Sequence, residues 1–185
     1  MFTSKRVSVT VVGAALAAVV VGSGLWGAAA NARSAGDGKP SGRSAETRRC
    51  GNADLSARYR SSGAGLGHRY GQIVLTKVSD SACRTGGYGG LSYVGHGDGT
   101  QVGAAADREP SPVRSIVLQP GERVRGDVTE TVAQNYPKKR CRPEPVDGFR
   151  VYVPNATKSK FVEHPTTGCA NPRVHLLSHR AYRRP

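Results

Sequence analysis

Past residue 50 the apolar positions of this chain alternate instead of recurring at helical spacing. "YGQIVLTKVS" (70–79) is rich in β-branched residues and stops at Asp80 and Ser81, a turn signal. "GLSYV" (90–94) sets Leu91 and Tyr93 in period two. "GHGDGT" follows with Asp98 and Gly99, a hairpin dipeptide because glycine accepts positive φ, and "QVGA" is the returning strand. "SIVLQPGERVRGDVTETV" reads as two strands about Gln119-Pro120-Gly121-Glu122, where proline then glycine at the central positions is the type II signature. "GFRVYVP" (148–154) alternates Phe149, Val151 and Val153 on one face with Arg150 and Tyr152 on the other. "KFVEH" and "RVHLLSH" are weaker strand candidates. Asn171 and Pro172 fit an N-cap and first helical residue, so 171–184 reads as a helix or as a final strand, and the strand is the expectation. Many short strands with Gly and Pro between them predict an all-β chain folded as an antiparallel Ig-like β-sandwich.

The N-terminus does not fit that pattern. Lys5 and Arg6 precede an uncharged apolar run (7–21), and "GAAANA" then supplies small residues. These are the three parts of a cleaved secretory signal peptide, expected over 1–32 with the cut after Ala30 or Ala32. The competing reading is an uncleaved membrane anchor, since 7–30 is long enough to span a bilayer. A lipoprotein anchor would need a cysteine at the cut, and the first cysteine is Cys50. Residues 33–49, "RSAGDGKPSGRSAETRR", are small, polar and basic without apolar periodicity, so they read as a flexible linker. Residues 50–185 are one domain's worth of chain, long enough to bury a core without a metal.

Export changes how Cys50, Cys83, Cys141 and Cys169 are read. Four cysteines in an exported chain argue for two disulfides, with three pairings open. Neighbour pairing, Cys50–Cys83 and Cys141–Cys169, is the expectation. A four-thiolate zinc site normally takes paired C-x-x-C knuckles, and no two cysteines here lie close in sequence.

The order of these pieces resembles a family of secreted actinobacterial domains known only as domain of unknown function 4232. "CGNADLSARY" stands at its opening cysteine and short strand, "SSGAGLGHRYG" at a Gly-containing loop, and "QIVLTKVSDSAC" at a long apolar strand. "CRTGGYGGLSYVGHGDG" follows as a glycine-rich turn and strand, then the "LQPGE" turn and the late pair Cys141 and Cys169. The chain departs in "LTKVSDSAC", without the usual asparagine, and in "GGYGG", without the usual proline. The basic tail "HRAYRRP" lies outside the pattern. The resemblance implies a secreted, disulfide-bonded β-sandwich and no known activity or functional residues.

Catalytic motifs are wanting. "GAGLGH" and "GHGDGT" read G-x-G-x-G, open no helix and precede no Walker lysine, so they are turns and not phosphate cradles. Ser92 lacks the second glycine of G-x-S-x-G and sits in a strand. His175 and His179 would share a helix face, but on a strand they stand about 13 Å apart, too far for one ion. No metal or cofactor is expected, and no acid/base pair marks an enzyme.

Charge carries the remaining functional signal. The net charge is +14, or +12 once Lys5 and Arg6 leave with the signal peptide. The excess gathers in "KPSGRSAETRR", "YPKKRCRP" and "SHRAYRRP". Lys138, Lys139, Arg140 and Arg142 flank Cys141 and are the candidate anion-binding set, held on one loop. Aromatics are few and not interleaved with the charges, so nucleic acid is not the expected partner. Anionic cell-wall polymers or lipid headgroups are, for a secreted, non-enzymatic binding module with no membrane span after cleavage. The alternative is an inhibitor of trypsin-like proteases using the loop around Cys141. Mass spectrometry of the non-reduced exported protein is expected to show no free thiol and two linked peptide pairs, Cys50–Cys83 and Cys141–Cys169; stoichiometric zinc on reduced thiols would overturn both pairing and compartment.

Overall fold

The computed structural model describes residues 46–185, so the expected signal peptide and residues 33–45 of the linker lie outside the described residues. The strands in chain order are β1 (Leu55–Gly65), β2 (His68–Lys77), β3 (Cys83–Thr85), β4 (Gly90–Gly95), β5 (Thr100–Ala105), β6 (Asp107–Arg108), β7 (Ile116–Leu118), β8 (Arg123–Thr131), β9 (Pro143–Tyr152), β10 (Ser159–Cys169) and β11 (Leu177–His179). One α-helical turn, α1 (Lys138–Cys141), and two 3₁₀ turns (Asn52–Asp54 and Ala133–Asn135) complete the described elements. One sheet has the order β1-β2-β8-β11-β6, the second β10-β9-β4-β5, and β3 pairs with β7 in a short ribbon. All pairings are antiparallel except β11 with β6.

The inner faces of the two large sheets make one core. Leu55, Ile73, Leu75, Val124 and Val128 come from one; Leu91, Tyr93, Phe149, Val151 and Val162 come from the other. Tyr59 of β1 meets Phe149 of β9 with ring centroids 5.2 Å apart. The alternation expected in "GFRVYVP" holds: Phe149, Val151 and Val153 are buried, and Arg150 and Tyr152 are only partly so. The strand runs further back than expected, through Pro143 and Pro145. Those prolines pair only with β10, because β4 covers β9 from Gly148 onward. A proline lacks the N–H for a second ladder, so its place is where the strand has one free side. Pro165 likewise falls in the register break between Glu163 and Thr166.

The turns follow their chemistry. Gly121 has φ 82°, and the Glu122 N–H donates to Gln119 O at 3.0 Å, as a type II turn requires. Its flanking strands do not pair with each other: β7 crosses to β3, and β8 joins β2. In the glycine-rich stretch, a Cβ on Gly86 would stand 2.0 Å from Arg114 O, so only glycine lets these two segments approach.

Both expected disulfides are formed, Cys50–Cys83 and Cys141–Cys169. Loops of 33 and 28 residues closed this way are each worth about 3–4 kcal/mol in the chain-entropy account. The domain's contacts begin before Cys50. Arg48 gives Asp54 two hydrogen bonds of 2.7 Å, Arg84 N–H donates to Arg48 O, and Arg84 pairs with Glu46. Residues 46–49, expected as the end of the free linker, therefore lie along β3. The Arg48 bonds, ahead of those from Ser79 and Gly51, hold the Asp54 carboxyl well below the usual carboxylate range against the effect of burial.

The C-terminal segment forms the expected final strand, β11, and not a helix over 171–184. Asn171 accepts from Arg173 N–H and Val174 N–H in a turn. The tail beyond it is packed: Ala181 and Tyr182 are buried, and Tyr182 bridges to Gly87 and Arg183 to Arg125. Tyr182→Ala is expected to cost about 3–4 kcal/mol, the range for emptying an aromatic site, in chemical denaturation monitored by circular dichroism.

Candidate functional site

The four basic residues singled out in the sequence lie together, but on a helical turn and not on an open loop. Lys138, Lys139 and Arg140 are in α1, and Arg142 caps it in the left-handed region at φ 53°. Neighbours on a helix point about 100° apart, so the three α1 charges fan outward. The disulfide ties this turn to the end of β10. Ala170 N–H donates to Arg142 O (2.9 Å), Asn171 N–H to Cys141 O (3.2 Å) and Asn171 Nδ2 to Arg140 O (2.7 Å). Asn171 also accepts from Arg173 N–H, which brings a fifth exposed cation to the same end of the domain. Arg140 sits over the Tyr136 ring, 5.7 Å from its centroid. Among the described residues, none of the five makes an ion pair.

The tail differs in both respects. Arg180 pairs with Glu109 (3.2 Å), Arg183 with Asp127 (2.8 Å) and Arg184 with Glu122 (3.0 Å). Its charges are locally compensated and its backbone is held in the sheet.

The other concentration of polar chemistry is inside the sandwich. Glu130 of β8 is 0 % exposed. It accepts hydrogen bonds from Tyr59 Oη (2.7 Å) and Tyr93 Oη (2.5 Å), and His164 Nε2 lies 2.9 Å from it. Arg69 stands at 3.8 Å and donates to Thr166 Oγ1 at 2.6 Å. Burial alone would raise the Glu130 pKa. The bonds from His164, Tyr93 and Tyr59 outweigh it and hold the carboxyl below the ordinary range. Burial first, and then the adjoining carboxylate, push both tyrosine hydroxyls well above theirs. A carboxylate, an imidazole and two phenols suggest acid/base chemistry by type, but Glu130 is sealed from solvent, so its placement is that of a clasp between sheets.

The family model described as Domain of unknown function (DUF4232) matches residues 50–181. The chain belongs to the DUF4232 family. No curated protein and no solved structure matches it. The DUF4232 span holds both disulfides, the α1 charges and the whole Glu130 cluster; Arg183 and Arg184 fall beyond it.

Other residues weighed in the sequence separate within this DUF4232 domain. His175 is exposed and bonded to Asp107 (2.9 Å), whereas His179 is buried beside Tyr88, and burial lowers its pKa. Ser92 is buried within β4. Among the described residues no helix is long and apolar enough to cross a membrane. Sequence reading missed Arg173, isolated between Pro172 and Val174, because only the fold of 169–173 against 140–142 brings it to the turn. It also missed Glu130, although strict alternation through Val124, Gly126 and Val128 points that residue inward.

Glu130→Gln keeps the side chain's shape but replaces an acceptor oxygen with a donor facing phenol and imidazole donors. The substitution is expected to cost about 3 kcal/mol or more. Glu130 binds its proton less tightly folded than unfolded. The stability it contributes is thus complete above the ordinary carboxylate value near 4.3 and is lost as pH falls below that and through its lower folded value. Denaturation midpoints followed from pH 7 to 3 should fall less steeply in the variant.

Proposed function

We propose that this domain is an exported, non-enzymatic binding module that holds anionic polymers of the cell envelope through Lys138, Lys139, Arg140, Arg142 and Arg173. The observation that carries this reading is the contrast between the two basic segments. The tail arginines each face a carboxylate, whereas the turn and the adjoining Arg173 present five exposed cations with no ionic partner on backbone braced by a disulfide. A braced turn binds without first losing the freedom that a loose segment would have to give up. The formation of both disulfides supports an oxidising compartment, as an exported protein would meet. The aromatic ring beside these charges, Tyr136, lies under Arg140 instead of standing open for a base to stack on, which disfavours nucleic acid.

The inhibitor reading draws less support. A substrate-like inhibitor offers a protease an extended main chain, while Lys138–Cys141 is helical. Incubation with trypsin separates the two, since an inhibitor slows the protease and a binder does not.

The exported protein is expected to be retained on sulfated-dextran resin and on its own cell-wall fraction. Retention should fall steeply with added salt, because exposed charges are screened over about 8 Å at physiological ionic strength. The variant Lys138→Gln, Lys139→Gln, Arg140→Gln, Arg142→Asn should elute at clearly lower salt than wild type. Arg180→Gln, Arg183→Gln, Arg184→Gln should elute closer to wild type, because those charges are already paired. Equal elution of wild type and the turn variant would leave the charge as a solubility device.

A further inference from the structure

A second basic surface lies on the outer face of the five-stranded sheet. Alternation along β1 turns Leu55, Ala57 and Tyr59 inward and Ser56, Arg58 and Arg60 outward. The same alternation turns Val74 and Thr76 of β2 and Arg123 and Arg125 of β8 outward. Register aligns them in rows across the three strands: Ser56, Thr76 and Arg123 in one, Arg58, Val74 and Arg125 in the next. Ser56, Arg58, Arg60, Val74, Thr76 and Arg123 line a groove of about 290 Å³. Arg58, Arg60 and Arg123 are exposed, and among the described residues none of them makes an ion pair.

The spacing is regular because the sheet sets it. Arg58 and Arg60 are two residues apart on one strand, roughly 7 Å, and β8 lies two strand spacings from β1, roughly 10 Å. The floor between them is the short β-branched pair Val74 and Thr76. The arginines of β1 and β8 face one another across β2 with no carboxylate in the groove's lining, so an anion lying between the rows is drawn to both. An extended chain along β2 would have Arg58 and Arg60 on one side and Arg123 and Arg125 on the other; Asp127, which stands opposite Arg60 across Gln72, is already paired with Arg183. A phosphate within a polymer's main chain carries two non-bridging oxygens that can face both rows, whereas a pendant carboxylate faces one. Guanidinium donors match such oxygens two at a time.

We propose that this groove binds a linear polymer with phosphate groups in its main chain, laid along β2 between Arg58 and Arg60 on one side and Arg123 on the other. The site is separate from the α1 turn. Arg123 begins β8 and the turn follows its far end, so the two surfaces are parted by the length of a strand of 9 residues, roughly 27 Å.

The test uses the exported protein and linear inorganic polyphosphate, with affinity measured calorimetrically over a series of salt concentrations. Arg58→Gln, Arg60→Gln, Arg123→Gln should weaken binding about tenfold or more while the melting temperature stays at the wild-type value. The slope of log K against log salt should fall by about 2, from three lost contacts at about 0.7 each for a flexible chain. Chemical-shift changes on titration should concentrate in β1, β2 and the start of β8. Poly-glutamate should bind wild type more weakly than polyphosphate does and should be less sensitive to the triple variant. An unchanged affinity or slope in the triple variant would overturn the proposal. So would an equal loss in the four-residue turn variant, which would mean that net charge alone governs binding. Binding of anionic phospholipid vesicles that needs the three arginines, without binding of polyphosphate, would make this face a membrane-docking surface instead and would equally overturn it.

Discussion

A single buried carboxylate joins the two sheets of this domain. Removing an ion from water costs several kcal/mol even after the protein relaxes around it. Glu130 meets that cost only because Tyr59, Tyr93 and His164 all reach it, with Arg69 close by. These partners come from β1 and β2 on its own sheet and from β4 and β10 on the facing one. The rings pack as well as bond: Phe149 stacks against His164 at 4.6 Å and against Tyr93 at 5.4 Å. A slip of β8 by one residue would send Glu130 to solvent and Thr129 into the phenols, where one hydroxyl cannot replace the carboxylate as acceptor for Tyr59, Tyr93 and His164 together.

The same register decides where free charge remains. The chain has 27 Lys and Arg against 13 Asp and Glu, so cations outnumber acids by fourteen however the acids are placed. The fold sets Asp127, Glu109 and Glu122 against the C-terminal arginines and Asp54 against Arg48. The first three fasten the C-terminal segment against the domain, and the last fastens residue 48 beside the first 3₁₀ turn. Among the described residues, two groups of the cations left over stand together: one at the α1 turn, where none makes an ion pair, and one on the β1 and β8 faces, where alternation lines arginines up and β2 between them supplies only neutral residues; Arg49, Arg108, Arg114, Arg150, Lys158 and Lys160 are unpaired elsewhere.

How much of this was legible depends on sequence distance. Local chemistry read well: the Phe149, Val151, Val153 alternation, the Pro120-Gly121 turn, the Asp98-Gly99 hairpin and neighbour pairing of the cysteines. Each depends on residues within a few positions, or on two stretches of about thirty residues closed by a bridge. The Lys138 to Arg142 run was visible because it is contiguous, though its helical form was not; Pro137 at the N-cap suits a helix start, but four residues are too few to show a helical period. The β1–β8 groove was invisible. Arg58 and Arg123 are neighbours only through a shared middle strand, and no local pattern states that β8, not β7, lies beside β2. The tail misled for the same reason. Its arginines look like a free basic end until Asp127, Glu109 and Glu122 are seen across from them.

The two basic surfaces also differ in what holds them, and that difference follows from the Glu130 clasp. The groove arginines stand on strands whose register is fixed by a buried, fully bonded cluster on the opposite face of the same sheet. Tyr59 lies between Arg58 and Arg60 on β1, and its hydroxyl ends on the carboxylate. Moving the outward arginines means moving the inward phenol, and moving the phenol unpairs a buried charge. The α1 turn has no such backing. Its geometry depends on the Cys141–Cys169 bond and on hydrogen bonds to residues 170 and 171, with Arg142 kept in a left-handed conformation that a non-glycine residue adopts at a cost. Reduction of that bond would therefore loosen the turn while leaving the spacing of the groove in place, because the groove draws its rigidity from hydrophobic burial and the Glu130 hydrogen bonds, neither of which a reductant touches.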